Sequence, residues 1–165
     1  MADLKTMQDL LHHEVQVMYN GEKLIVAGLP RMIEHASNPE LKNAFAQHLE
    51  ETRRQVERLE QVAQMLNIDP DGDGNPSLKG MIAEGEKVMH KNADPDVMDA
   101  TLIAGCQKIE HYEIAAYGTA RYLAQLLGQN QIAELLSQTL EEEKKADAIL
   151  NGLAMSKINQ QAPQV

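Results

Sequence analysis

Four long stretches of the chain place apolar residues three and four positions apart, which is the spacing of one face of an α-helix. These stripes run from Leu4 to Met32, from Leu41 to Leu66, from Leu102 to Leu127 and from Ile132 to Ala154. Only a few residues connect the first stripe to the second and the third to the fourth. Since short connections join antiparallel neighbours, the pattern predicts four long helices in two helical hairpins.

The segment from Asn67 to Ala93 separates the two predicted hairpins. It starts with helix breakers between Asp69 and Pro76 and continues with a shorter helical pattern over about Ser77 to Lys91. Among four-helix bundles, two hairpins joined by one long crossover are typical of the ferritin-like class. The predicted fold is therefore all-α: a ferritin-like antiparallel four-helix bundle over residues 1–159, with a short extra helix in its crossover and a polar tail over residues 160–165.

Composition narrows the possible functions. The chain has 165 residues, with 15 Lys+Arg against 25 Asp+Glu and a net charge of −10, so it lacks the basic face that nucleic-acid binding needs. No apolar run approaches the ~20 residues of a membrane-spanning helix. A single cysteine, Cys106, excludes an intrachain disulfide and a thiolate-rich zinc site. We therefore expect a cytoplasmic protein that binds neither nucleic acid nor membrane.

Each long stripe carries a glutamate near its middle, at Glu22, Glu51, Glu113 and Glu143. A carboxylate in an apolar core costs several kcal/mol unless it is protonated, paired or bound to a cation. The two glutamates of one hairpin have nearly the same spacing as those of the other, which predicts related hairpins that meet at a shared site. The pattern does not decide between Glu143 and its neighbour Glu142.

Further candidate ligands flank these positions. Glu110 lies three residues before Glu113, and His48 lies three residues before Glu51. Di-iron bundle proteins use one Glu from each of two helices and a Glu-x-x-His pair from each of the other two. This sequence contains no Glu-x-x-His. The predicted site is therefore richer in carboxylate than that template, and carboxylate with imidazole suits iron or manganese.

Five stretches of the sequence together resemble one known family: Tyr19–Lys23, His48–Thr52, Gly80–Gly85, Ile109–Ala115 and Glu141–Lys144. The family is the YciF/YciE-like group of bacterial stress proteins, within the ferritin-like superfamily. The resemblance implies a four-helix ferritin-like fold, a homodimer and expression under stress. It also implies iron binding among Glu22, Glu51, Glu110, Glu113 and Glu142 or Glu143. It implies no established reaction.

These observations predict a di-iron or di-manganese site that oxidises ferrous ions or reduces peroxide during stress, with oxygen or peroxide as the small oxidant. Three alternatives stay open. The glutamates can form an ion-pair network with nearby Lys and Arg. The protein can be a non-enzymatic dimeric interaction module that has lost turnover and binds a structural ion or none. It can also be a storage cage.

Overall fold

The chain is mostly helical over the residues that the computed structural model describes, which are 4–72 and 74–164. Five helices form the body of the protein: α1 (Met7–His35), α2 (Pro39–Leu66), α3 (Pro76–Met89), α4 (Pro95–Leu126) and α5 (Asn130–Leu153). No strand occurs over these ranges, so the predicted all-α class is confirmed. Each helix there is too short or too polar to cross a lipid bilayer.

Side-chain caps define where the first four helices begin. Thr6 Oγ1 accepts a hydrogen bond from the Asp9 amide, and the Asp9 carboxylate accepts one from the Thr6 amide. The side chains of Asn38, Asn75 and Asp94 accept hydrogen bonds from amides at the starts of α2, α3 and α4, and each is followed by a proline. The caps satisfy amides that have no partner in the first helical turn, and proline has no amide to satisfy.

The helices pack as two hairpins, as the sequence predicts. The first hairpin is α1 with α2, the second is α4 with α5, and α1 also packs on α4 while α2 packs on α5. Helix α3 lies in the crossover and packs against α1 and α4. Its cap residue Asn75 also donates a hydrogen bond to the carbonyl of Val17 (3.1 Å). This approach needs Gly21, because a Cβ there would lie 2.9 Å from Asn75 Nδ2.

The interior contains two apolar clusters, one in each half of the bundle. The first cluster contains Ile25, Leu29 and Phe45 together with buried residues of α4 that precede Glu110. The second cluster contains Val15 together with buried residues of α4 that follow Glu110. Six buried polar residues of the four long helices lie near the boundary between the segments that form these two clusters: Glu22, His48, Gln55, Glu110, Glu113 and Glu143. A polar layer therefore crosses the bundle at mid-height.

The C-terminal end stays helical past α5. A π-helical segment, Ala154–Ile158, leads into the short helix α6 (Asn159–Gln161). Ile158 is buried in the apolar cluster that contains Phe45, whereas Pro163 and Gln164 are exposed. Helical structure thus continues two residues beyond residue 159, the predicted end of the bundle.

Candidate metal centre

The polar layer brings together side chains from all four long helices. Its six central members are buried, with at most 6% of any of them exposed: Glu22, His48, Gln55, Glu110, Glu113 and Glu143. We call Glu22, Glu110, Glu113 and Glu143 the carboxylate cluster. Four carboxyl groups without solvent must be protonated, hydrogen-bonded or bound to a cation.

The carboxyl groups lie close enough to interact directly. Ligand oxygens of Glu110, Glu113 and Glu143 all lie within 4.8 Å of one another. Glu22 completes the cluster through its interaction with Glu113. At such distances in a low-dielectric interior, negative charges repel strongly, so this arrangement favours either shared protons or a bound cation.

Each of three carboxyl groups accepts a hydrogen bond on one oxygen. The Tyr117 hydroxyl donates to Glu22 Oε1, the Gln55 amide donates to Glu143 Oε1, and the Cys106 thiol donates to Glu110 Oε1 (3.2 Å). The second oxygen of every cluster member is buried without a hydrogen-bond partner among the described residues, at Oε2 of Glu22, Glu110, Glu113 and Glu143. Four unpaired acceptors in one layer represent a large cost unless shared protons or a bound cation satisfy them.

Burial shifts the protonation of the cluster toward the neutral form. It raises the pKa of Glu22 to about 7, although the Tyr117 hydrogen bond and His48 act in the opposite direction. Burial and the neighbouring carboxyl groups raise the pKa of Glu113 and that of Glu143 well above the usual range. Without a cation, the cluster therefore retains protons at neutral pH.

Glu110 differs because it faces His48. Burial acts to raise the pKa of Glu110, but the contact with the His48 imidazole outweighs it and leaves that pKa below its ordinary value. Burial likewise acts to lower the pKa of His48, and the Glu110 carboxylate reverses the effect. His48 Nε2 lies 3.1 Å from Glu110 Oε1 without hydrogen-bond alignment, and Nδ1 has no partner among the described residues.

Two of the predicted site residues lie outside this layer. Glu51 is half-buried at the side of α2 and accepts a hydrogen bond from Gln47 (3.0 Å). Glu142 binds Arg58 through both carboxylate oxygens, at 2.8 and 3.0 Å. Burial would raise the pKa of Glu142, but Arg58 lowers it overall. Between the two neighbours on α5, Glu143 is therefore the residue that faces the interior.

The position of Glu51 follows from helix geometry. The buried face of α2 runs through Phe45, His48, Thr52, Gln55 and Leu59. Successive residues on a helix are about 100° apart, so the residue before Thr52 points to the edge of this face. The sequence pattern fits a buried residue at position 51 as well as at position 52, because both positions follow His48 by about one turn.

Three residues that contact the cluster are not among the ligands that the sequence predicts. Tyr117 lies one turn after Glu113 and Cys106 lies one turn before Glu110, both on the buried face of α4. Gln55 occupies the equivalent inner face of α2. The available signal was their four-residue spacing from a glutamate, which places side chains on the same helical face.

An apolar pocket leads toward the cluster from the side of α3. It has a volume of about 140 Å³ and lies between α1, α3 and α4. Leu29, Met32 and Met81 line it, and its wall also includes the buried residues Cys106 and Glu110. The pocket therefore connects an apolar surface region with one edge of the polar layer.

Comparison with known proteins identifies the family. The model of the family described as domain of unknown function DUF892 matches residues 6–163. The chain belongs to the DUF892 family. It is also 40% identical to protein YciF of Escherichia coli K12 over 161 residues, which is 97% of each chain. The family resemblance predicted from the five stretches is confirmed.

Solved structures of similar proteins have the same architecture. The crystal structure of the E. coli stress protein YciF aligns with a TM-score of 0.91 at 40% identity, covering 96% of this chain and 100% of that one. YcfI of Rhodopseudomonas palustris aligns with a TM-score of 0.87 at 43% identity, covering 90% and 95%. A Xanthomonas campestris protein at 21% identity, with a TM-score of 0.71 and coverage of 94% and 99%, shares the fold.

Proposed function

We propose that this DUF892 protein is a stress protein that binds ferrous or manganous ions at the carboxylate cluster. The observation that carries the proposal is the set of four buried carboxylate oxygens without hydrogen-bond partners, one from each cluster member. A divalent cation would satisfy all of them and would offset the repulsion that raises the pKa of Glu113 and Glu143. The description of the E. coli relative as a stress protein supports the physiological setting.

The donor set fits iron or manganese. Carboxylate oxygens with one imidazole suit these ions better than they suit copper or a thiolate-bound zinc. Ligand atoms at about 2.0–2.2 Å from one ion are at most about 4.4 Å apart. The oxygens of Glu110, Glu113 and Glu143 lie within 4.8 Å of one another, so small side-chain rotations bring them onto a common cation. With Glu22 and His48 at the flanks, the layer has enough donors for two ions.

The protein's own residues prepare such a site. Tyr117 and Gln55 fix one oxygen of Glu22 and of Glu143, which leaves the second oxygen free to bind an ion. The apolar clusters on either side exclude water, and the pocket that reaches Glu110 suits dioxygen better than a polar oxidant. When bound, a pair of ferrous ions supplies the electrons for reduction of oxygen or peroxide. The homodimer and the cytoplasmic location remain predictions.

Anaerobic titration calorimetry with Fe²⁺ and with Mn²⁺ tests the proposal. We expect the wild type to bind about two ions per chain, as in two-metal sites. Glu143→Gln should weaken binding at least about tenfold, because it removes a charged ligand. Glu141→Gln is the matched control, since Glu141 is exposed on the same helix and pairs with Lys144 (2.8 Å). Absence of binding to the wild type, or equal affinity of both variants, would contradict the proposal.

One observation favours a second candidate, the interaction module without turnover. Hydrogen bonds from Tyr117, Gln55 and Cys106, together with retained protons, hold the cluster in place without an ion. Ferrous oxidation in air separates the two functions. An oxidising site gives a faster rate for the wild type than for Glu143→Gln, whereas the module gives the same rate for both proteins.

A further inference from the structure

The sulfur of Cys106 lies at one edge of the polar layer, beside two other potential ligands. Ligand atoms of His48, Cys106 and Glu110 lie within 4.8 Å of one another. His48 comes from α2, while Cys106 and Glu110 are one turn apart on α4. Glu110 Oε1 is 3.1 Å from His48 Nε2 and 3.2 Å from Cys106 Sγ. Glu110 therefore belongs both to this group and to the carboxylate cluster.

The imidazole of His48 provides independent evidence for a ligand. The residue is 6% exposed, its Nδ1 has no partner among the described residues, and its Nε2 forms an ion pair with Glu110 Oε1 at 3.1 Å without hydrogen-bond alignment. Glu110 Oε2 is likewise buried without a partner. A buried histidine normally satisfies at least one nitrogen, and a metal ligand uses one nitrogen directly. Side chains with unpaired polar atoms, His48 and Glu110, thus converge on the Cys106 thiol.

Two of the three donor separations are close to those of tetrahedral coordination, and the third, between His48 and Cys106, is within 4.8 Å. Donors bound at about 2.0 Å for nitrogen or oxygen and about 2.3 Å for sulfur are about 3.3–3.5 Å apart across a tetrahedral edge. The observed separations of 3.1 and 3.2 Å differ from this by a few tenths of an ångström.

We propose that Cys106, His48 and Glu110 form a thiolate-containing subsite for a borderline divalent cation, namely Zn²⁺, Co²⁺ or Fe²⁺. It shares Glu110 with the oxygen-only subsite, which also contains Glu22, Glu113 and Glu143, and this assignment rests on the proposed function. Thiolate and imidazole prefer borderline ions, whereas carboxylates alone suit harder ones. Binding forms a metal–sulfur bond and breaks the S–H bond, and the thiol proton is released to solvent.

Anaerobic titration of the full-length protein with Co²⁺ tests the subsite by absorption spectroscopy. Thiolate bound to Co²⁺ absorbs strongly in the near ultraviolet through charge transfer, while carboxylate and imidazole ligands do not. Because the sequence contains a single cysteine, such a band can arise only from Cys106. We expect the band in the wild type, with bleaching when Zn²⁺ displaces Co²⁺. Cys106→Ser should lose the band and bind Co²⁺ at least about tenfold more weakly at this subsite.

The outcomes separate this inference from the proposed function. Co²⁺ binding by calorimetry without a charge-transfer band overturns the thiolate subsite and leaves the carboxylate site standing. Failure to bind Co²⁺, Fe²⁺ and Mn²⁺ contradicts both. The wild-type spectrum decides the question even if Cys106→Ser does not fold, and Cys106→Ala provides a second variant.

Discussion

The two hairpins share a fold but supply different chemistry to the polar layer. The first hairpin contributes one carboxylate, Glu22, together with the imidazole of His48 and the amide of Gln55. The second contributes three carboxylates together with a thiol and a phenol. The near-equal spacing of glutamates in the sequence predicts two equivalent halves, and the structure instead shows complementary ones.

The difference explains how the layer joins the hairpins. Tyr117 of the second hairpin donates to Glu22 of the first, and Gln55 of the first donates to Glu143 of the second. His48 and Glu110 also face each other across the hairpins. Polar partners in a low-dielectric core are costly to separate, so the layer fixes the register of one hairpin against the other.

The largest predicted effect is the pH dependence of stability in the metal-free protein. The pKa of Glu22 rises from 4.5 to about 7 on folding, so between these pH values the folded state holds a proton that the unfolded chain has released. Stability therefore falls by about 3 kcal/mol as pH increases across this range. The raised pKa of His48 acts in the same direction, and those of Glu113 and Glu143 extend the loss to higher pH.

Urea unfolding at about pH 5 and about pH 8 measures this dependence. Glu22→Gln should flatten the profile, because glutamine cannot release the proton. Saturating Mn²⁺ should reverse the slope, since the ligands bind metal in their deprotonated form. A stability of the metal-free protein that increases over this range would contradict the account of the cluster.

The second effect is the difference in ferrous affinity when a glutamate is replaced in one hairpin or in the other. Glu113→Gln, in the second hairpin, should weaken ferrous binding by about 100-fold, or about 2.7 kcal/mol. Glu51→Gln in the first should change affinity less than about threefold, because Glu51 lies outside the layer. Anaerobic calorimetry measures both. Equal losses would show that Glu51 moves into the site and that the hairpins are equivalent after all.

The third effect tests an ion pair that links the hairpins outside the cluster. Arg58 on α2 binds Glu142 on α5, with the two side chains 14% and 27% exposed. Arg58→Met should destabilise the protein by about 2 kcal/mol, since Glu142 is left partly buried without its charged donor. The control is Arg53→Met, which removes an exposed pair with Glu50 and should cost about 0.5 kcal/mol or less. Equal losses of unfolding free energy for the two variants in urea would contradict the difference between the partly buried and the exposed ion pair.

The smallest effect is the loss of one hydrogen bond between the hairpins. Tyr117→Phe removes the donor to Glu22 and leaves the packing of the ring unchanged, at a cost of about 1 kcal/mol. Tyr122→Phe provides the control, because Tyr122 is 60% exposed. Thermal unfolding of the two variants should show a lower midpoint for Tyr117→Phe alone. A matching decrease in the control would argue against a specific role for the buried phenol.

The fold could be predicted because its signals are local. Asn38–Pro39 and Asp94–Pro95 combine a cap with a residue that begins helices, and both mark observed starts. The long crossover specifies the connectivity without reference to any contact. Each of these features depends on the order of a few neighbouring residues.

The composition of the site could be predicted only in part. It depends on the rotation of about 100° between successive residues of a helix and on partners that are far away in the sequence. Glu142 and Glu143 are adjacent, and the choice between them depends on Arg58, which lies on another helix. Cys106 has the features of any small core residue until His48 is placed beside it. Periodicity identifies the face of a helix but not the side chains that meet it.

The most direct test of the central claim is anomalous diffraction from crystals of the protein soaked anaerobically in Mn²⁺ or Fe²⁺. The account predicts anomalous peaks among Glu22, Glu110, Glu113 and Glu143 in the middle of the bundle. An empty layer at saturating ion concentration, or peaks only at carboxylates outside the layer such as Glu51, would contradict it.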